Sequence, residues 1–375
     1  MLEGYFRYFS PSGLTIPGGP STWHICDWEQ RRIFAVTMDE EQEDAAVALT
    51  FLQQHIDDLS PTVCAVPAGT WYPRLQDLQI LPQVKATSRS DLHECQRLTP
   101  NVDLLSYGAS EAEHATKLVV FKYYFLNQLL YKTWHEMNLL ARLPAHPNLV
   151  AFDSLVYDEP SDRLVGFTTV YVPGGTINKD TSRVFKLAWL KQLIRVIDDL
   201  NFRFGIMHQD VAPRNLLVNP ETDQLVLFDF NYSGRIGHTW FCAERDDIKG
   251  VIFTLYEIIT RDEQYRMIPH TEQDPHAVGE LEEWVQHPEV RLDHDVAEDR
   301  AVLNGWVKQR REGKQISMYT DALEPIDWPE PNTVWEDCIS LPWARPAPSS
   351  SAQENEPRSR VLKTSQGSTS SASSL

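Results

Sequence analysis

The stretch His208-Gln209-Asp210-Val211-Ala212-Pro213-Arg214-Asn215, followed fourteen residues beyond Asn215 by Asp229-Phe230-Asn231, decides how this chain of 375 residues folds. Two short apolar runs lie between, LLV at 216–218 and QLVLFDF at 224–230, joined by NPETD, which is the pattern of a β-hairpin. The spacing therefore hangs a carboxylate, an amide and a second carboxylate on one short frame. Phosphoryl transfer calls for such a set: a carboxylate near the attacking hydroxyl, an oxygen ligand for one metal, and a carboxylate bridging metal to phosphates. A lone His-x-Asp would be an ordinary polar loop. The full constellation, with a hairpin in the middle, is not.

Upstream of that frame the pattern is one of strands. VDLLSYG (102–108) and the strongly apolar KLVVFKYYF (117–125) precede a helical run over 127–143 that stops near Pro144. Strands near SLVYD and LVGFTTVYV follow, then the Gly174-Gly175 turn, and beyond it the chain is mainly helical. Strands first and helices after indicate an α+β domain with a sheet lobe on a helical lobe. Two charged residues break the binary pattern in that first half. Lys122 shares a strand face with Leu118 and Val120, where a lysine either snorkels outward or meets an anion. Glu136 heads the stripe Leu139, Leu140 and Leu143, so it sits on the buried face of its helix, where a carboxylate needs a partner.

Residues 1–91 read as a small α/β extension: strand-like TWHICDW and RRIFAVTM, then a helix over about 40–59 with Ala45, Leu49, Leu52 and Ile56 at helical spacing. Residues 346–375 hold ten Ser and few large apolar groups, which predicts disorder. The formal charge of −19 disfavours nucleic acid and anionic membranes as partners. Five cysteines, with no CxxC pair, disfavour a disulfide framework or structural zinc. No signal peptide and no membrane-length apolar run are visible, so the expected compartment is cytoplasmic or nuclear.

On these motifs the chain resembles the protein kinases and their wider phosphotransferase superfamily, and is most similar to a group of kinase-like proteins of filamentous fungi that carry HQDxAPRN. The resemblance covers about residues 92–265. It implies a bilobal protein-kinase-like fold: a small β-rich lobe with one key helix over 92–170, and a larger, mainly helical lobe over 171–345 with divergent C-terminal helices. It implies Asp210 as catalytic base, Arg214 as the charge beside the transferring phosphoryl group, and Asn215 and Asp229 as ligands of Mg2+. ATP would lie against Val120, Lys122, Thr169, Tyr171 and Val172, with Lys122 and Glu136 as the phosphate-orienting ion pair. His208, Phe230 and Leu140 would stack as a packing spine, and Asp247, heading DIKGVIFTLYEIIT (247–260), would brace the catalytic loop.

The match has gaps. Between Asn101 and Thr116 the only glycine is Gly108, where a phosphate-cradling loop would carry several. Asn231 replaces the glycine after Asp229-Phe230, which restricts a flip of that segment. Asp247 lies only 18 positions after Asp229, and Gln209 stands where many kinases place an arginine that receives a loop phosphate. Switching by loop phosphorylation is accordingly not expected. The expected activity is transfer of the γ-phosphoryl group of Mg·ATP to a hydroxyl, with a protein acceptor favoured slightly over a small molecule. The alternative is a pseudokinase that serves as a nucleotide-binding or scaffold module.

Overall fold

Alternation along Leu118–Tyr123 builds the central sheet: Val119, Phe121 and Tyr123 are fully buried on one face, while Leu118, Val120 and Lys122 point to the other. The computed structural model describes residues 8–15, 21–27, 32–39, 44–55, 84–99, 101–107, 117–123, 130–158, 163–179, 183–238, 241–313 and 315–330. The tail at 346–375, Gly108 and Thr239 lie outside the described residues.

Three antiparallel strands, β1 (Tyr8–Thr15), β2 (Ser21–Asp27) and β3 (Arg32–Met38), form a sheet of their own in the order β1-β2-β3. Helix α1 (Ala45–His55) sets Ala48 and Leu52 against Ile25 of this sheet. The strand β1 had no counterpart in the sequence reading, because Pro11, Ser12 and Gly13 look like a turn; the strand absorbs them with an irregular register between Phe9 and Ser12.

The larger sheet has six strands: β4 (Ala86–Ser88), β5 (Leu92–Thr99), β6 (Val102–Tyr107), β7 (Leu118–Tyr123), β8 (Phe152–Asp158) and β9 (Arg163–Val170), in the spatial order β4-β8-β9-β7-β6-β5. All pairs are antiparallel except β4 with β8. Helix α2 (Leu130–Leu140) enters between β7 and β8 in the chain and buries Met137, Leu139 and Leu140 in the main core with Leu155 and Phe167 of the sheet.

The second half is helical, as the absence of further long apolar alternation requires. After β10 (Val184–Phe185), α3 (Leu187–Asp198) buries Trp189, Leu190, Leu193, Val196 and Ile197, an i, i+1, i+4, i+7, i+8 stripe. Then come β11 (Ile206–Met207), the hairpin β12 (Leu216–Asn219) and β13 (Gln224–Leu227), and β14 (Gly234–Arg235). The hairpin pairs Leu216 with Leu227 and Asn219 with Gln224. Helix α4 (Asp247–Thr260) is apolar nearly all round and accordingly runs through the core, capped by the Asp246 carboxylate on the Lys249 amide at 3.1 Å. Gly250 lets it approach the loop that carries Asp210, since an added Cβ there would meet Val211 Cβ at 3.0 Å. A short helix α5 (Pro275–Gly279), strand β15 (Arg291–Leu292), paired in parallel with β10, and α6 (Val296–Glu312) complete the set. The architecture is mixed α+β, with no barrel. No helix among the described residues is long and apolar enough to cross a membrane.

Candidate functional site

A cavity of about 330 Å3 lies between the six-stranded sheet and the segment that follows it, and its lining is predominantly apolar. Val120 and Lys122 reach it from β7, Glu136 and Leu140 from α2, and Thr169 from β9, with Tyr171 and Val172 just beyond. Asp229 and Asn231 reach it from the turn after β13. Eight of the residues singled out in the sequence thus share one cavity: Val120, Lys122, Glu136, Leu140, Thr169, Tyr171, Val172 and Asp229.

Lys122 joins the parts. Its Nζ contacts Glu136 Oε2 at 2.7 Å and also pairs with the Asp229 carboxylate, 107 residues away in the chain. Glu136 is 2% exposed and accepts the Phe230 amide at 3.0 Å as well, so β7, α2 and the Asp229-Phe230 turn converge on one ion cluster. Burial pushes the Glu136 pKa up to about 7, against the lowering pull of Lys122. Burial acts the same way on Asp229, but there the Lys122 ammonium prevails and holds the carboxyl below its ordinary value. Glu136 is the more deeply buried of the two. Asp229 adopts φ 66°, a left-handed conformation that turns its side chain into the cavity at a backbone cost.

The loop bearing Asp210 is held from below. Asp247, 1% exposed at the start of α4, accepts the His208 and Gln209 amides at 2.9 and 2.8 Å and the Asn201 amide group at 2.9 Å. Its burial raises its pKa even so. His208 is fully buried, contacts the Phe228 carbonyl through Nε2 at 3.0 Å, and meets the Phe230 ring edge-on at 4.8 Å between centroids. That makes it a packing residue. Leu140 and Phe230 lie in the same core.

Asp210 has both oxygens engaged: Arg214 Nη2 donates to Oδ1 at 2.5 Å and Asn215 Nδ2 to Oδ2 at 2.8 Å. Each oxygen retains a lone pair for a further proton or donor. Asn215 Nδ2 also donates to the Asp210 carbonyl at 2.8 Å, which spends both its hydrogens and leaves Oδ1 as the atom it can offer a cation. The Asn215 carbonyl accepts the Phe228 amide at 3.1 Å, tying this loop to the turn after β13 that bears Asp229. Among the described residues no group of three or more His, Cys, Asp or Glu forms a metal cage. One amide and one carboxylate oxygen instead suit a hard cation that keeps waters and phosphate oxygens as its other ligands, which fits magnesium.

Three features escaped the sequence reading. The turn bordering the cavity joins β5 to β6, with Leu98, Thr99, Asn101 and Val102 in the lining, whereas the sequence directs attention to 101–116. Thr99 pairs with Val102, so this turn is tight and glycine-free. Leu217 and Phe167 also line the cavity, Leu217 by the simple alternation of a hairpin strand. Gln209, read only as a missing arginine, ties two backbone groups: Nε2 donates to the Tyr232 carbonyl and Oε1 accepts the Cys242 amide, each at 2.6 Å. No sequence pattern signals that, since both partners are main chain.

At the far edge, Val170 N–H donates to the Ala151 carbonyl at 2.9 Å, and the Tyr171 amide lies 3.5 Å from the Leu118 carbonyl. Gly174 adopts φ 101° in the turn that follows, and an added Cβ there would meet the Val218 carbonyl at 2.7 Å. A second cavity, about 390 Å3, is lined by Pro213 and Arg214 of this loop, with Arg183, Trp189 and Arg266 also in its lining. No protein-family model matches the chain.

Proposed function

We propose that the chain is an ATP-dependent phosphotransferase of the protein-kinase-like superfamily, its sheet and helical regions acting as the small and large lobes around the nucleotide. One observation carries this reading: Lys122 bridges Glu136 and Asp229 in the wall of an apolar cavity, with Asp210 and Asn215 hydrogen-bonded to each other on the loop before β12. The adenine would occupy the apolar part of the cavity against Val120, Thr169 and Val172, and Lys122 would take the phosphates. Asn215 Oδ1 and the Asp229 carboxylate would hold Mg2+, which when bound neutralises charge on the phosphates.

The acceptor hydroxyl enters beside Asp210, by way of the second cavity. Its oxygen attacks the γ-phosphorus, the bond to the β-phosphate oxygen breaks, ADP leaves, and the hydroxyl proton passes to Asp210. Arg214 and Asn215 fix the Asp210 carboxylate for that step, and Arg214 adds positive charge near the transferring group. The acceptor is a protein or small-molecule hydroxyl.

The test is label transfer from [γ-32P]ATP, first to the protein itself and then to panels of peptides and small alcohols. Asp210→Asn is nearly isosteric and keeps acceptors for Arg214, so transfer falls by about 10²–10⁴-fold while nucleotide binding persists. A wild type that binds Mg·ATP, transfers phosphate to nothing and matches Asp210→Asn throughout leaves the second reading, a pseudokinase scaffold. The tight, glycine-free β5–β6 turn is the feature that favours that second reading.

A further inference from the structure

Helix α2, which carries Glu136, is gripped on its preceding residues by a segment nearly two hundred positions later in the chain. Trp134 Nε1 donates to the Pro329 carbonyl at 2.9 Å, and Trp328 Nε1 donates to His135 Nδ1 at 2.9 Å. Trp328 and His135 are each 5% exposed, so this hydrogen bond is shielded from water. Backbone bonds root the segment in the helical region: Leu323 N–H to the Phe202 carbonyl at 3.1 Å, Glu324 to Arg203 at 2.7 Å and Ile326 to Phe204 at 3.1 Å.

Arg235, six residues past Asp229 and 4% exposed, locks the same segment. It pairs with Asp327 and Glu330, donates to the Trp328 carbonyl at 3.0 Å, and lies over the Trp328 ring at 4.6 Å. The segment thus touches the helix that positions Lys122 and the stretch that leads out of Asp229.

We propose that residues 326–330 form a clasp that sets the position of α2, with Trp328 as a positioning residue for Glu136. The inference rests on the phosphotransferase reading for its catalytic consequence, though not for its structural one. Trp134, His135 and Glu136 occupy a single helical turn, so a shift at the clasp is passed directly to the carboxylate that holds Lys122. Displacement of a reacting frame by about 1 Å costs about 100-fold in rate.

The clasp is also acid-sensitive. Burial lowers the His135 pKa to about 4, with Glu330 opposing and Arg235 and His238 reinforcing the shift. Protonation at Nδ1 would remove the acceptor that Trp328 uses. The ordinary histidine pKa is about 6.5, so the stability contributed by the neutral ring is full above that pH and declines towards 4, while the hydrogen bond itself is lost as pH falls through about 4.

The experiment uses the full chain with Trp328→Phe, Trp328→Ala and His135→Gln. Hydrogen–deuterium exchange reads α2 without nucleotide, and the KM for ATP is followed between pH 7.5 and 4. In Trp328→Ala, exchange over 130–140 rises at least tenfold and the KM for ATP rises about tenfold. Trp328→Phe, which keeps an aromatic ring but loses Nε1–H and part of the indole's bulk, falls between, and it stands in should the alanine variant fail to fold. His135→Gln retains an acceptor that cannot protonate, and it removes the acid rise in KM. Unchanged exchange in α2 in folded Trp328 variants overturns the clasp. A wild type without Mg·ATP binding or turnover, but with exchange altered as stated, overturns the phosphotransferase reading and keeps the clasp.

Discussion

Lys122 serves two carboxylates at once, and one of them, Glu136, is almost wholly enclosed. Removing the lysine strands two acidic groups in a cavity wall. Lys122→Met is therefore expected to destabilise the fold by about 3–5 kcal/mol in urea unfolding. Adding Glu136→Gln should recover about 1 kcal/mol or more, because a neutral amide can still accept from the Phe230 amide. Additive losses in the double variant would show that the ion cluster is not one unit. This pair was legible in the sequence because each member violates its local pattern, a lysine in an apolar strand and a glutamate at the head of a leucine stripe. Gln209 was not: its partners are the carbonyl of Tyr232 and the amide of Cys242, and main-chain partners leave no trace in side-chain identities.

Between Asp229 and Asp247 the described residues are held by that glutamine at Tyr232 and at Cys242. Arg245 adds a contact over the Tyr232 ring at 4.4 Å. A strap of this kind needs no phosphate. Replacing Tyr232, Ser233 and Thr239 with Phe, Ala and Val should leave turnover within a few-fold. Gln209→Leu, by contrast, unties both points: exchange over 231–238 and 241–242 should rise, and turnover should fall about tenfold. A triple variant that loses turnover while folding and binding nucleotide would restore regulation at those hydroxyls. An element with periodic burial, such as α2 with its stripe Glu136, Leu139 and Leu140, could be read in advance. The clasp at 326–330 could not, since it holds by two tryptophan N–H groups, a buried arginine and backbone bonds, none of which recurs at a period.

At the scale of the whole molecule, two apolar clusters flank the site. One fills a face of the six-stranded sheet with Phe121, Tyr123 and Val156. The other runs from α2 and the sheet's opposite face into α3, α4 and α6. Fold class was legible because strands precede helices in the chain, whereas the strand β1 and the β5–β6 turn at the cavity were hidden by residues that usually mark loops. On the proposed function Mg·ATP would bind between these regions and stabilise them together, so the most direct measurement is a thermal-unfolding titration with ATP, with and without magnesium, on wild type and Asp229→Ala. The expected result is stabilisation by about 2.7 kcal/mol at a hundred times Kd, with its magnesium-dependent part lost in Asp229→Ala. An unfolding transition that does not move at millimolar Mg·ATP would contradict the account.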